Sequence, residues 1–144
     1  MDVERALVFT VGYEGRNHAQ LALRLREAGV SRVLDVRASA RSPRPGFSKA
    51  PLSRALAAEG LEYQHLPDAG NPFREEAARD LPRALARYRE HLAQRPEVVE
   101  AVLRAAAGAR TALLCAEANP RRCHRSVLAE RLCEATPGLA VIHL

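Results

Sequence analysis

Apolar runs typical of strands alternate along this chain with stretches of helical spacing, and their order predicts its architecture. Leu7 to Val11 is a continuous apolar run, as expected of a buried strand, and Gly12-Tyr-Glu-Gly15 ends it sharply. His18 to Ala28 has helical spacing through Leu21, Leu25 and Ala28, with Gly29 placed as its C-cap. Arg32 to Val36 reads as the second strand, ending in Arg37. Residues 38–48 carry two prolines and a glycine, which exclude regular structure, and Pro51 then opens a helix to about Glu59 that Gly60 ends. Leu61 to Leu66 alternates as a third strand, and residues 67–72 form another loop. From Arg74 to about Ala107 the chain is charged and alanine-rich with breaks near Pro82 and Pro96, which fits two or three helices whose charged faces are solvated. Thr111 to Leu114 is the fourth strand, Ser126 to Glu134 an amphipathic helix with Val127, Leu128, Arg131 and Leu132 setting its period, and Ala140 to Leu144 the last strand.

This alternation predicts an α/β fold: a single domain over residues 1–144, with a mainly parallel sheet of about five strands, right-handed crossovers and helices on both faces. In such sheets ligands sit outside the carboxyl ends of the strands. The loops that start at Gly12, Arg37, His65 and Cys115 are therefore expected to share one rim. They bring Tyr13, Glu14, Arg16, Asp35, Arg37, Arg41, Arg44, Ser48, His65, Asn71, Cys115, Glu117, Cys123, His124 and Arg125 toward it.

Composition narrows the setting. A chain of 144 residues with 47% apolar content suffices for one domain that buries about two-thirds of its unfolded surface. No apolar stretch approaches the roughly 18 residues of a membrane span, and Met1 to Arg5 carries charge where a signal peptide needs an apolar run, so the expected location is the cytoplasm, away from membranes. Three cysteines there argue against a disulfide framework, and Cys133 reads as a small core residue. The net charge of +5 allows attraction to phosphates, although only Lys49 among the 22 basic residues is lysine, and a GC-rich genome yields the same arginine bias. Local placement of the arginines must decide.

The link between the fourth strand and the last helix concentrates the unusual chemistry. Cys115 at a strand end, near His124, arginines and a helix N-terminus, is the candidate nucleophile, with Glu117 and His124 as acid/base groups; the competing reading is a buried structural thiol. Glu117, a like charge two residues away, counts against a strongly stabilised thiolate. Cys115 and Arg121 have the Cys-x5-Arg spacing of phosphatases, and Leu-Asp-Val-Arg (34–37) is similar to a strand of rhodanese-like domains. The intervening Ala-Glu-Ala-Asn-Pro, however, has no glycine to turn amides inward and puts a carboxylate where phosphate would lie. A metal site would draw on Cys115, Cys123 and His124, with His65 as an optional fourth ligand, but adjacent Cys-His is an awkward chelate at no common zinc spacing, so no metal is assigned. A Cys115–Cys123 redox pair lacks the compact Cys-x-x-Cys arrangement. The rim arginines Arg16, Arg37, Arg41, Arg44 and Arg125 suit bidentate capture of phosphate, and Tyr13 and Phe47 suit stacking on bases. The same arginines can instead pair with Glu14, Asp35 and Glu117.

Five blocks carry a family resemblance: Thr-Val-Gly-Tyr-Glu-Gly-Arg (10–16), Leu-Asp-Val-Arg (34–37), Arg-Pro-Gly-Phe-Ser-Lys (44–49), Leu-Pro-Asp-Ala-Gly-Asn-Pro (66–72) and Leu-Leu-Cys-Ala-Glu-Ala-Asn-Pro-Arg-Arg-Cys-His-Arg-Ser (113–126). In this order they resemble the microbial family known as domain of unknown function 488 (DUF488). The resemblance implies a fold and a site rather than an activity. It marks Gly12, Tyr13, Gly15, Asp35, Arg37, Phe47, Ser48, Gly70, Asn71, Cys115, Glu117, Cys123, His124 and Arg125. Two functions fit: an enzyme-like domain binding a nucleotide or nucleic acid at the strand ends, with cysteine-dependent chemistry, and a non-catalytic nucleic-acid-binding protein whose cysteines only pack. The sequence assigns neither a cofactor nor an oligomeric state.

Overall fold

The computed structural model describes residues 6–144, so the charged run Met1 to Arg5 lies outside the described residues. The strands are β1 (Leu7–Gly12), β2 (Arg32–Asp35), β3 (Glu62–His65), β4 (Thr111–Cys115) and β5 (Ala140–His143). The α-helices are α1 (His18–Glu27), α2 (Lys49–Ala58), α3 (Arg74–Ala77), α4 (Leu81–Ala93), α5 (Pro96–Ala106) and α6 (His124–Ala135). All strand pairings are parallel, in the order β3-β2-β4-β1-β5.

Strand alternation divides the core into two layers. Ala112 and Leu114 of β4, with Phe9, Val11 and Val33, pack against Leu21 and Leu25 of α1 and Leu52 and Leu56 of α2. The intervening Leu113, with Val8 and Leu34, faces the other way, against Tyr88 and Leu92 of α4, Val98 and Val102 of α5, and Leu128 and Leu132 of α6. Each central strand is buried on both sides, which is why these strands read as unbroken apolar runs.

Two helix starts differ from the sequence reading. α2 begins at Lys49, because Ser48 is its N-cap and Pro51 sits in the first turn, where a missing N–H costs nothing. α6 begins at His124 rather than Ser126, with the Cys123 sulfur accepting from the Arg125 amide at 3.5 Å.

The topology also fixes where a crevice opens. The chain leaves β1 toward α1 on one face of the sheet and leaves β4 toward α6 on the other, and β1 and β4 are neighbours. Strand order reverses between them, the position at which open α/β sheets bind ligands. Beyond the strand ends the two loops stay joined, Tyr13 N donating to Cys115 O at 3.2 Å and Glu14 N to Ala116 O at 2.8 Å. Gly12 permits this approach: a Cβ there would lie 1.8 Å from the Glu117 carbonyl oxygen.

Candidate functional site

A cleft opens over the carboxyl ends of the strands. Its floor carries Cys115, Glu117, Cys123 and His124, and its far wall is α3 with the first turns of α4. The thiols and imidazole meet because β4 ends at Cys115 while Cys123 caps α6, which returns His124 over the strand end. His124 Nδ1 lies 3.8 Å from Cys115 Sγ and 3.7 Å from Cys123 Sγ, and Glu117 Oε2 accepts from Cys115 Sγ at 3.4 Å. The two sulfurs and the imidazole nitrogen are within 4.8 Å of one another. The imidazole is fixed from behind: Nε2 donates to the Val36 carbonyl at 2.7 Å, and the ring meets Tyr88 edge-on with centroids 5.2 Å apart.

This geometry separates the two thiols. Cys115 is pushed well above its ordinary pKa by its pairing with Cys123, by burial and by the charge of Glu117. Cys123 is held at about 3, first by the neighbouring Cys115 thiol, then, against the cost of burial, by His124 and the Arg125 amide. Burial works against an imidazolium at His124, but Cys123 overrides it and raises the pKa. Glu117 is raised by burial and by the charge of Cys123. The sequence reading takes Cys115 as the candidate nucleophile; in this pair the surroundings favour the charged form at Cys123 over Cys115.

Of the other sequence candidates, Arg37 borders the cleft, whereas Asp35, Arg125, Arg16, Arg44, Ser48 and His65 are absent from its lining. Asp35 is fully buried and pairs bidentately with Arg37, at 2.8 and 2.6 Å, while Tyr63 OH donates to Asp35 as well. The rest of the Arg37 guanidinium bonds Phe47 O at 2.7 Å and Tyr13 OH at 3.3 Å. Burial opposes its charge, but Asp35 and Tyr13 raise its pKa above the usual range. Arg125 is wholly buried and grips the site loop through Glu117 O (2.5 Å), Ala118 O (3.1 Å) and Thr10 Oγ1 (3.2 Å). The Arg37 guanidinium makes four hydrogen bonds and that of Arg125 three, all to protein acceptors, so both tie loops of the rim together. Arg16 bonds Gly12 O and Arg44 bonds Tyr13 O. Ser48 Oγ accepts from Ser42 N, and His65 Nε2 bonds Arg37 O, away from the thiol cluster.

The expected base-stacking platform is likewise occupied. Tyr13 and Phe47 are buried and stack on each other at 4.7 Å, with the Arg37 guanidinium 5.4 Å from the Tyr13 ring centre and that of Arg44 4.3 Å from the Phe47 ring centre. Tyr13 still borders the cleft, as do Glu14, Arg41 and Asn71. Glu14 accepts from Ala118 N and Asn71 from Phe73 N. Arg121, the basic member of the Cys-x5-Arg spacing, is absent from the cleft lining.

The cleft wall adds Phe73, Arg74, Arg79, Arg83, Arg87, Asn119 and Arg122, none of which the sequence reading selected. Arg83 and Arg87 pair with Glu76. Among the described residues, Arg41, Arg74, Arg79 and Arg122 form no ion pair, since the salt bridges present involve other side chains. The signal that would have found Arg122 is its place beside Cys123; the others depend on how α3 docks.

No helix among the described residues is long and apolar enough to cross a membrane. Neither a curated protein nor a solved structure matches the chain. The family model described as "Domain of unknown function DUF488" matches residues 17–132, a span that runs from the N-cap of α1 into α6 and takes in the whole thiol cluster. On that match over most of its length, the chain belongs to the DUF488 family.

Proposed function

We propose that the protein is an enzyme that holds a phosphate-bearing ligand, a nucleotide or a nucleic-acid strand, at the carboxyl ends of its sheet, with cysteine-dependent chemistry at the cleft floor. One observation carries this reading: the Cys115–Cys123–His124–Glu117 cluster shares its cleft with Arg41, Arg74, Arg79 and Arg122, whose guanidiniums have no carboxylate partner among the described residues. Guanidinium forks suit phosphate oxygens, and their charge concentrates an anionic ligand over the thiols. Half-buried Phe73, under the Arg87 guanidinium at 4.1 Å, is an aromatic surface in the same cleft.

Fluorescence anisotropy with a labelled single-stranded oligonucleotide, and competition by a nucleoside triphosphate, test the reading. Binding should weaken as salt rises, and Arg41→Ala with Arg122→Ala should flatten the log–log salt slope by about 0.7 for each phosphate that is no longer neutralised. Cys123→Ser should leave affinity in place and remove turnover. Binding indifferent to the four arginines would defeat the cleft assignment. Unchanged turnover in Cys115→Ser and Cys123→Ser, with binding intact, would leave a nucleic-acid-binding protein instead.

A further inference from the structure

The cluster on the cleft floor has the dimensions of a coordination site. A tetrahedral zinc ion sits about 2.3 Å from thiolate sulfur and about 2.0–2.1 Å from imidazole nitrogen, which sets sulfur-to-nitrogen edges of roughly 3.6 Å. His124 Nδ1 stands 3.8 Å and 3.7 Å from the two sulfurs, and the three donors close within 4.8 Å. The sulfur-to-nitrogen edges already present need shorten by only about 0.2 Å to enclose such an ion.

The orientation of the imidazole matches as well. A carbonyl only accepts, so Nε2, bonded to Val36 O at 2.7 Å, carries a proton and leaves Nδ1 to face both sulfurs. A backbone carbonyl behind the ring is the usual partner of a metal-bound histidine, fixing its tautomer and tilt. Tyr88 adds a second restraint, its ring edge-on to His124 and its hydroxyl held by Ala69 O at 2.6 Å. The sequence set this chelate aside because the ligands are adjacent. The helix start resolves the difficulty: Cys123 is the extended cap residue and His124 the first helical one, so their side chains leave the backbone in different directions and converge on one point.

We infer that Cys115, Cys123 and His124 bind one zinc-class divalent ion. The fourth position faces the cleft that all three residues line. Three protein ligands and one open position are the arrangement of sites that do chemistry, whereas purely structural zinc sites close with four. Glu117 is not among the converging donors; its carboxylate accepts from Cys115 Sγ at 3.4 Å at the edge of the cluster. It is thereby available to hydrogen-bond a water or ligand oxygen in the open position. In that position the ion polarises an oxygen of whatever the cleft holds. This last role, unlike the ion itself, rests on the proposed cleft function.

Cobalt(II) titration of the reduced, chelator-stripped full-length chain tests the site, alongside metal content of the untreated protein by inductively coupled plasma mass spectrometry. One equivalent should bind, with thiolate-to-cobalt charge-transfer absorption and the intense visible bands of a tetrahedral ion, and zinc should displace it. Cys123→Ser and His124→Gln should each abolish the charge-transfer signature or sharply weaken binding. Glu117→Gln and Cys133→Ser should keep one equivalent. A wild-type chain that takes up no cobalt, or takes it up without charge transfer, overturns the inference whether or not the variants fold. A disulfide between Cys115 and Cys123 in protein purified without reductant, with no metal, does the same. Oligonucleotide binding that depends on the cleft arginines in a chain that binds no metal would sink this inference alone, and metal uptake without anion binding would sink only the cleft reading.

Discussion

Replacing Arg37 by leucine should cost the fold about 3–5 kcal/mol, the expense of leaving a buried carboxylate unpaired. Asp35 has no solvent access, and its two oxygens receive the Arg37 fork, the Arg37 amide and Tyr63 OH. With the guanidinium gone, Phe47 O and Tyr13 OH lose a donor too, and the 38–48 loop is no longer tied to the end of β2. Arg37→Lys keeps the charge but not the fork and should fall between wild type and leucine. The double variant Asp35→Leu with Arg37→Leu should recover part of the loss, since removing both charges avoids the stranded one. Urea unfolding decides the matter through the midpoint at constant slope. A single-variant cost below about 1 kcal/mol would mean the pair behaves as a solvated surface bridge and does not scaffold the loop.

Gly12→Ala should be nearly as damaging, for a different reason. The added methyl would meet the Glu117 carbonyl oxygen at 1.8 Å and its carbon at 2.5 Å, both backbone atoms with no side-chain freedom to yield. The 116–118 loop must move, and with it the bond of Arg125 to Glu117 O. The loss should reach the upper end of the about 1–3 kcal/mol typical of overpacking. Gly15→Ala is the matched control: its φ of +79° strains an alanine by about 1–2 kcal/mol, yet nothing lies within 4 Å. Only the Gly12 variant should also open the cleft floor, read as faster alkylation of Cys115 and Cys123 with Cys133 as the internal reference. Equal alkylation rates in the two variants would contradict the close-approach argument.

Much of the fold was legible because burial on both faces leaves a plain trace: Leu7 to Val11 and Thr111 to Leu114 cannot be solvent-facing, and each is a strand. The start of α6 was harder to place, since Cys123 is not among the residues that usually cap helices, and a shift of two residues there decides whether His124 points at the thiols. Side-chain type alone left open whether Arg37 and Arg125 hold a ligand or the scaffold: Asp35 is near Arg37 in sequence, but Phe47 O and Tyr13 OH around Arg37, and Thr10 Oγ1 beside Arg125, are brought near only by the fold. Arg74 and Arg79 were invisible for a complementary reason: a charged helical turn looks the same in sequence whether it faces bulk water or the wall of a cleft.

The strand order also bears on how the chain is made. β1 pairs only with β4 and β5, both of which follow it by about a hundred residues, whereas β2 and β3 can join early. At roughly 5–20 residues per second of synthesis, Leu7–Gly12 waits roughly 5–20 s before Thr111–Cys115 reaches the ribosome's active site, and longer before it emerges. Through that interval the apolar run of β1 has no sheet neighbour, and a chaperone that covers Leu7 to Val11 would protect the half of the sheet still to come.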